Sequence, residues 1–342
     1  MADVTDAAFR RIIARYGKPD VMWTEFVSAD GLCSAGRKKL LHILKYDESE
    51  RPIVAQIFSG NPEKIREASK LIQKLGFDGI DINMGCPDRK VEKSGGGASL
   101  IKNPKLAREI IRATKEGAPK LPVSVKTRIG YNKNELGTWL PEILAEEPAV
   151  VTIHARSRKE MSKVPARWEH VKEAVEIRNK MGSKTLIIGN GDVENLKDAF
   201  QKAQESGADG AMIGRAIFGN PWLFAGLKKV KDRWAPSARP LADGVHLSPP
   251  CKKLRILLEH AKLFQKILGE DKNFSVMKKH FKAYVSGFDG AKELRVRLME
   301  AENVKEVEKI VYNFLNSKHE IRNPKQIPSA LADPRRRKNS NI

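Results

Sequence analysis

The sequence has little cysteine, few aromatic residues and no long apolar run, and these shortages exclude several classes of protein. Its three cysteines, Cys33, Cys86 and Cys251, are too few and too scattered for a disulfide framework or a paired-cysteine metal site. No apolar run approaches the roughly 20 residues that a membrane-spanning helix needs. The first residues lack the basic and apolar segments of a secretory signal. We therefore predict a cytoplasmic protein with no metal and no membrane partner.

Basic residues outnumber acidic ones, 63 against 42, for a formal net charge of +21. The excess is concentrated in residues 251–342, which hold 21 basic and 11 acidic residues. Such a charge favours a polyanionic partner, with nucleic acid ahead of an anionic membrane. The alternative is a charged surface that only keeps the protein soluble.

Short β-branched runs alternate with amphipathic stretches over the first 220 or so residues, a pattern typical of parallel βαβ units. Seven strands are predicted, at 21–27, 52–58, 79–84, 122–129, 149–155, 185–189 and 210–213. Helical spacing is clearest at 62–75, 104–115 and 196–205. The strand count and the absence of an early Gly-x-Gly-x-x-Gly motif favour a barrel over a doubly wound sheet.

Seven strands are one short of the eight that close a TIM-type barrel. The chain opens with a helix that Thr5 or Asp6 would cap, and a helix packed outside a barrel needs a strand before it. We therefore predict an α/β fold, a TIM-type (β/α)8 barrel whose first strand is truncated to Met1 and Ala2 or missing. Its sheet would have an open edge between the first helix and the last strand.

The second part of the chain has a different pattern. We assign 1–235 to the barrel, the proline-rich 236–250 to a linker and 251–332 to a small helical bundle. Helices are predicted at 251–267, 273–286, 290–301 and 304–316. The basic tail 333–342 is predicted to be disordered. A monomer is expected.

Polar residues recur where the predicted strands end, which is where barrel active sites lie. They are Gln56, Asp81, Asn83, Ser124, Lys126, Arg128, Thr152, His154 and Arg156. Lys126 and Arg128 would be costly to bury without an anionic partner, so together with His154 they predict a bound anion or an electron-rich ring. A hydrogen-bonded structural role is the alternative for any one of these residues.

Glycine loops follow the last two predicted strands, as Gly189-Asn190-Gly191-Asp192 and Ile213-Gly214-Arg215. Glycine lets backbone N–H groups approach a ligand, and many barrels hold phosphate in the loops after strands seven and eight. When the missing first strand is counted, these two glycine loops follow strands seven and eight. They predict a phosphate site, and two ordinary turns are the alternative.

Cys86 lies in the run Asn83-Met84-Gly85-Cys86-Pro87, at the mouth of a predicted strand. This setting favours a functional thiol over a small buried apolar residue. Cys33 and Cys251 have no comparable context, so we expect them to be structural.

These motifs, in this order, resemble the tRNA-dihydrouridine synthases from residue 1 to about residue 320. The matching segments begin at Met1-Ala2-Asp3-Val4-Thr5-Asp6 and continue through Asn83-Met84-Gly85-Cys86-Pro87, Val125-Lys126-Thr127-Arg128, Ile153-His154-Ala155-Arg156, Gly189-Asn190-Gly191-Asp192 and Met212-Ile213-Gly214-Arg215-Ala216. One departure is the apolar strand, ending in Ala-Pro, that precedes the Met1-equivalent residue in the family and is absent here.

The resemblance implies an FMN-dependent reductase in which NADPH, or NADH, reduces the flavin. A hydride then passes to C6 of a uracil ring in tRNA, and Cys86 protonates C5. The implied FMN contacts are Met1, Ala2, Gln56, Asn83, Lys126, His154, Asn190, Gly191, Asp192, Gly214 and Arg215. The candidate RNA contacts are Lys90, Arg128, Arg156, Lys278, Lys279, His280, Lys282, Arg295 and Arg297.

A thiol acid must hold its proton, so we predict that Cys86 is neutral. The reacting base must leave the RNA stack.

Two alternative functions stay open. One is a flavin barrel that acts on a free pyrimidine, like the dihydroorotate dehydrogenases, which the basic helical domain and the Gly-Cys-Pro run disfavour. The other is a non-catalytic RNA-binding relative, which the presence of Cys86, Lys126 and His154 disfavours.

Overall fold

The computed structural model describes residues 1–226 and 250–317. A parallel sheet flanked by helices forms the first part. Its strands are β1 Met22–Trp23, β2 Val27–Ser28, β3 Ile53–Phe58, β4 Gly79–Met84, β5 Val123–Arg128, β6 Val150–His154, β7 Leu186–Asn190 and β8 Gly210–Met212. The predicted tail 333–342, residues 318–332 of the predicted helical domain and the predicted linker 236–250, except Pro250, lie outside the described residues.

Helices follow most of the strands and then form a bundle of their own. They are α1 Ala7–Tyr16, α2 Ala29–Leu32, α3 Pro62–Lys74, α4 Arg89–Lys93, α5 Pro104–Gly117, α6 Leu136–Leu144, α7 Glu169–Lys180, α8 Leu196–Ser206, α9 Pro250–Leu268, α10 Met277–Tyr284, α11 Ala291–Glu300 and α12 Val304–Ser317. The Asp6 side chain caps α1 by accepting from Phe9 N at 2.9 Å. Asn61 and Asn103 cap α3 and α5, each followed by proline at the first helical position.

All strand pairs are parallel, in the order β1, β3, β4, β5, β6, β7, β8. β1 and β2 both pair with β3, with Met22 opposite Ile53 and Val27 opposite Ile57, so they are two halves of one interrupted strand. The described part of the chain therefore has the seven predicted strand positions. Within it, β8 pairs only with β7, and the sheet is open between β8 and β1, as predicted.

The core of the first part lies between the sheet and its helices. Every residue of β4 is buried, which fits a central strand of a parallel sheet that is covered on both faces. On α3 and α5 the buried residues recur at helical spacing, with Ile65, Ala68 and Ile72 on one helix and Ile110 and Ile111 on the other.

Helix α1 belongs to two cores. Phe9 and Ile13 pack in the core of the sheet, whereas Ala8 and Ile12 pack with Leu254 and other apolar residues of the C-terminal helices. This sharing attaches the helical bundle to the barrel along one helix. Within the described residues, no helix combines the length and the apolar character needed to cross a membrane.

Candidate functional site

A cavity of about 1190 Å³ opens at the carboxyl ends of the strands. Its lining extends to Ala199 and Phe200 of α8 on the open side of the sheet. Most predicted site residues meet there: Met1, Gln56, Asn83, Cys86, Lys126, His154, Asn190, Gly191, Asp192, Gly214 and Arg215, together with Arg128 and Arg156. Ala2 is exposed and does not line the cavity. The predicted contact through Ala2 is therefore not part of this site.

The Cys86 loop is held by its neighbours. The Asn83 Oδ1 atom accepts from Cys86 N at 2.9 Å and from Gly85 N at 3.1 Å, while Ala98 N donates to Cys86 O at 3.0 Å. Gly97 has φ +61°, and a Cβ there would lie 2.8 Å from Cys86 O. Burial raises the pKa of the Cys86 thiol above its ordinary value, in agreement with the predicted neutral thiol.

Lys126 supplies a partly buried cation to the same cavity. Its Nζ donates to Asn190 Oδ1 at 3.2 Å, and Asn190 Nδ2 donates to Met212 O at 2.8 Å. Burial, with a smaller contribution from the charge of Arg128, lowers the pKa of Lys126 to about 8. Lys126 therefore stays mainly charged at neutral pH.

His154 is neutral in this setting. Burial first, and then the positive charges of Lys126 and its neighbours, lower the pKa of His154 to about 2. Its Nε2 lies 3.2 Å from Arg156 Nη1, and because a guanidinium can only donate, Nε2 accepts. The proton of the ring is then on Nδ1.

The loop after β7 has the close backbone approach that its glycine predicts. Gly191 has φ +127°, and a Cβ there would lie 2.8 Å from Ala166 Cβ. Trp168 Nε1 donates to Gly191 O at 2.9 Å and holds the loop from the other side. After β8, a Cβ on Gly214 would meet no atom within 4 Å, so this backbone borders open space.

The Asp192 carboxylate is paired with two arginines. It accepts from Arg215 Nη2 at 2.6 Å, from Arg156 Nη2 and from Ala166 N at 2.9 Å. A carboxylate would repel a phosphate, but one that pairs with two arginines orients their charge. We therefore expect Asp192 to position Arg215.

Two candidate RNA contacts, Arg128 and Arg156, lie in the wall of the cavity. Arg128 is 7% exposed and donates to the carbonyls of Gly85, Ser157 and Met161 at 2.8–3.1 Å. Arg156 is 3% exposed and donates to a backbone carbonyl at 2.6 Å. Both are held by backbone carbonyls and their charge faces the cavity, where contact with RNA stays a prediction.

The basic helix α10 packs beside the segment that follows β8. A Cβ at Gly219 would collide with the carbonyl of Ala283, and Phe218 stacks on His280 with centroids 5.6 Å apart. His280 is 1% exposed, which corrects its predicted place on the RNA surface.

The other predicted RNA contacts are accessible to different degrees. Lys90, Lys279, Lys282 and Arg297 are exposed. Lys278 and Arg295 are partly buried, and Arg295 Nη1 donates to Val285 O at 3.0 Å.

Sequence reasoning did not single out Trp23, Thr24 and Phe26, which line the cavity. They lie where the first visible strand breaks into β1 and β2, and Thr24 Oγ1 accepts from Gln56 N at 3.0 Å. The sequence signal that could have identified them is the presence of two aromatic residues within one predicted strand. In the described part of the chain, no group of three His, Cys, Asp or Glu side chains is arranged to hold a metal.

The open parallel sheet, with a cationic cleft and glycine loops at its carboxyl edge, defines a protein of the TIM-type barrel class. The family model described as dihydrouridine synthase (Dus) matches residues 1–319. The chain belongs to the dihydrouridine synthase family, which confirms the resemblance of its motifs.

Curated relatives match nearly the whole chain. A probable tRNA-dihydrouridine synthase of Staphylococcus aureus (strain MRSA252) is 39% identical over 318 residues, covering 92% of this chain and 91% of the relative. The probable tRNA-dihydrouridine synthase 2 of Bacillus subtilis (strain 168) is 39% identical over 316 residues, covering 92% of each. Among solved structures, the old yellow enzyme homologue from Zymomonas mobilis has a TM-score of 0.45 and 13% identity, covering 71% of this chain and 86% of that one, a likeness too low to carry an argument.

Proposed function

We propose that this protein is a tRNA-dihydrouridine synthase that reduces the C5–C6 double bond of uridines in tRNA with FMN and with NADPH or NADH. The observation that carries the proposal is the placement of the partly buried Cys86 thiol, whose pKa burial raises, in one cavity with Lys126 and His154. Membership of the dihydrouridine synthase family supports the same reaction.

The cavity suits FMN in charge. Its lining also includes Pro19, Val21 and Asp209, next to the amino ends of β1 and β8, so its 1190 Å³ combines the site with the groove along the open edge of the sheet. Gln56, Asn83, Lys126 and His154 would hold the isoalloxazine ring and ribityl chain, with Met1 against the ring. Asn190, Gly191, Gly214 and Arg215 would hold the phosphate, and Asp192 would orient Arg215.

Bound FMN, once reduced, supplies a hydride to C6 of the uracil ring. Negative charge then develops on the C5 side of that ring. Cys86 Sγ donates its proton to C5 and is left as a thiolate that takes a proton from water. Lys126, charged and partly buried, stabilises the negative charge that develops in the cavity without reorganisation of solvent.

The exposed lysines of α10 support docking of RNA at the cavity. The helix packs against the segment that follows Gly214 and Arg215, so Lys279 and Lys282 lie on an element that borders the site. Phosphate contacts of this kind orient an RNA without reading its sequence. We expect a monomer in the cytoplasm to act on a uridine that has left its stack.

The experiment that tests the proposal incubates purified protein with unmodified tRNA and NADPH, followed by mass mapping of dihydrouridine. We expect a yellow protein that releases FMN on denaturation and tRNA that gains dihydrouridine at defined positions. Turnover of free orotate in place of tRNA, or a colourless protein that binds RNA without reducing it, would contradict the proposal.

The docking surface has its own test, reversal of charge at Lys279 and Lys282 together. The double variant Lys279→Glu and Lys282→Glu should weaken tRNA binding and reduce the slope of log affinity against log salt by about 1–2. The double variant Lys305→Glu and Lys309→Glu, which changes two exposed lysines of α12, is the matched control. An equal loss in the control would show that only the total charge matters.

A further inference from the structure

Asp81 is a fully buried carboxylate that the proposed reaction does not use. It lies on β4, opposite Gln56 of β3 and Ser124 of β5 in the sheet register. It is 0% exposed and does not line the cavity, whereas Gln56 and Asn83 do. Asp81 is therefore behind the wall of the site, in contact with a residue that faces it.

The hydrogen bonds that Asp81 accepts fix the orientation of the Gln56 amide. Its Oδ2 accepts from Gln56 Nε2 at 2.6 Å, and its Oδ1 accepts from Ser124 Oγ at 2.5 Å. A carboxylate can only accept, so the nitrogen of the Gln56 amide must face Asp81 and its oxygen must face the other way. That oxygen accepts from Asn83 Nδ2 at 3.2 Å.

The same constraint passes through Asn83 to the cysteine loop. Because Asn83 donates to Gln56 through its nitrogen, its Oδ1 faces the backbone and accepts from Gly85 N and Cys86 N. A flipped Asn83 would present N–H to N–H and lose both loop contacts. One buried acceptor thus sets the orientation of two amides in series and, through them, the loop that carries Cys86.

We propose that Asp81 is a positioning residue that holds the Cys86 loop in place through the amides of Gln56 and Asn83. Pairing of β3, β4 and β5 already has its own backbone ladder, so the carboxylate is not required for the sheet itself. The effect of this positioning on catalysis rests on the proposed function. The effect on the position of the Cys86 loop is independent of that function.

The test measures how fast iodoacetamide alkylates Cys86, as a function of pH, in the full chain with Cys33→Ser and Cys251→Ser. Asp81→Ala frees Gln56 and Asn83 to rotate, so the loop loosens and the thiol meets water. We expect alkylation about fivefold faster, the size of one lost hydrogen bond, with its pH midpoint shifted downward. Asp81→Asn can still accept from Gln56 and donate to Ser124, so it should stay within about twofold of the parent.

A double-mutant cycle tests the route. If Asp81 acts through Asn83, Asp81→Ala combined with Asn83→Ala should alkylate no faster than Asn83→Ala alone. Gln56→Met interrupts the same series and should reproduce the effect of Asp81→Ala, which keeps the test open if that variant does not fold. Thr114→Val, which removes a buried hydroxyl bond within α5, is the control for general loss of stability and should leave alkylation unchanged.

Several results would overturn the proposal: an Asp81→Ala rate equal to the parent, equal rates in the Ala and Asn variants, additive effects in the cycle, or acceleration by Thr114→Val. Dihydrouridine formation by the parent protein is measured separately. If the parent makes none while the alkylation pattern holds, the proposed reaction fails and the positioning role stands. If the parent makes dihydrouridine but the alkylation pattern is absent, the proposed reaction stands and the positioning role fails.

Discussion

Cys86 and Lys126 line the same cavity, and burial shifts their pKa values in opposite directions. It raises the pKa of the thiol and lowers the pKa of the ammonium to about 8, because in each case the charged form is the one that loses solvation. At neutral pH the thiol keeps its proton and the lysine keeps its charge. These are the protonation states that a proton donor beside a stabilising cation needs.

Removal of the thiol should abolish most turnover and spare the cofactor. We expect Cys86→Ala to form dihydrouridine about 10²–10⁴ times more slowly, the usual contribution of a positioned acid, while it still releases FMN on denaturation. Cys33→Ala is the matched control and should retain activity. Unchanged turnover in Cys86→Ala, measured by mass spectrometry of tRNA, would refute the acid role.

Turnover should also fall as the pH rises past about 8, because Lys126 then loses the proton that gives it charge. In Lys126→Arg the guanidinium keeps its charge, so the alkaline fall should move to higher pH even if the maximum rate drops. A pH–rate profile of each protein at saturating tRNA gives the comparison. Coincident profiles would mean that another group causes the fall.

Among single residues, the sequence predicted those whose role follows from strand parity and missed those whose role depends on packing. Gln56, Asn83 and Lys126 alternate toward one end of their strands, so their convergence was expected. The burial of His280 was not, because its lysine neighbours suggested a solvent-exposed face.

At the scale of elements, the glycine loop after β7 is shaped by two contacts at once. Gly191 has φ +127°, and a side chain there would meet Ala166 and His154. Such positions favour glycine because other residues pay for both the dihedral and the clash.

Gly191→Val should therefore release FMN and cost about 1–3 kcal/mol of unfolding free energy. Gly182→Ala is the control, since Gly182 also has a positive φ of +62° but a Cβ there meets no atom within 4 Å. It should lose some stability and keep FMN. Flavin content after gel filtration and urea unfolding are the two measurements, and equal flavin loss in both variants would contradict a specific role for the loop after β7.

Helices with a capped, amphipathic pattern were predicted to within a few residues, as α3, α5 and α8 show. Helices α6 and α7 were not predicted. Pro141 lies inside α6, where proline normally ends a helix, and only Val171, Ala174 and Val175 of α7 are buried. Tertiary packing against the sheet stabilises these two segments, and their local pattern does not reveal it.

For the whole molecule, the contact between barrel and helical bundle contains two buried histidines. The ring centroids of His260 and His280 lie 4.6 Å apart, and the ring centroid of Phe9 lies 5.0 Å from that of His280. Burial lowers the pKa of His280 to about 3 and that of His260 well below its ordinary value. Both rings are therefore neutral in the folded protein, and protonation would place a charge in an apolar interface.

Stability should fall as the pH falls below about 6.5, where the unfolded chain binds protons that the folded one excludes. Each histidine should cost about 1.4 kcal/mol per pH unit in that window. Between pH 6 and 5, His280→Phe should lose about 1.4 kcal/mol less stability per pH unit than the parent, in which His154 and His260 keep their own contributions, and it should lose no more than the parent between pH 8 and 7. Urea unfolding at these pH values tests this, and identical acid slopes for the two proteins would contradict it.

The bundle is also tied to the barrel by ion pairs near the mouth. Lys272 Nζ lies 2.9 Å from Glu25 Oε2, and Lys45 Nζ lies 2.8 Å from Asp271 Oδ2. Glu25 is 3% exposed, so the first pair is well shielded from solvent. Through this contact and the shared helix α1, the basic helices keep a defined position relative to the catalytic cavity.

The sequence by itself determined the features that depend on local spacing. These are the alternation of strands and helices, the glycine loops, the Cys86 motif and the surplus of basic residues in the helical part. Each is readable because neighbouring residues along the chain are enough to produce it.

Only the tertiary structure decided which charges face the cavity, and how the cysteine loop is oriented. Arg128 and Arg156 are fixed by carbonyls from other segments, and the path from Asp81 to Cys86 crosses two strands and a loop. Two of these contacts, Asp81 with Gln56 and Arg128 with Gly85, join residues 25 and 43 positions apart in the chain. Their energy comes from burial and hydrogen-bond direction, which exist only once the strands are in register.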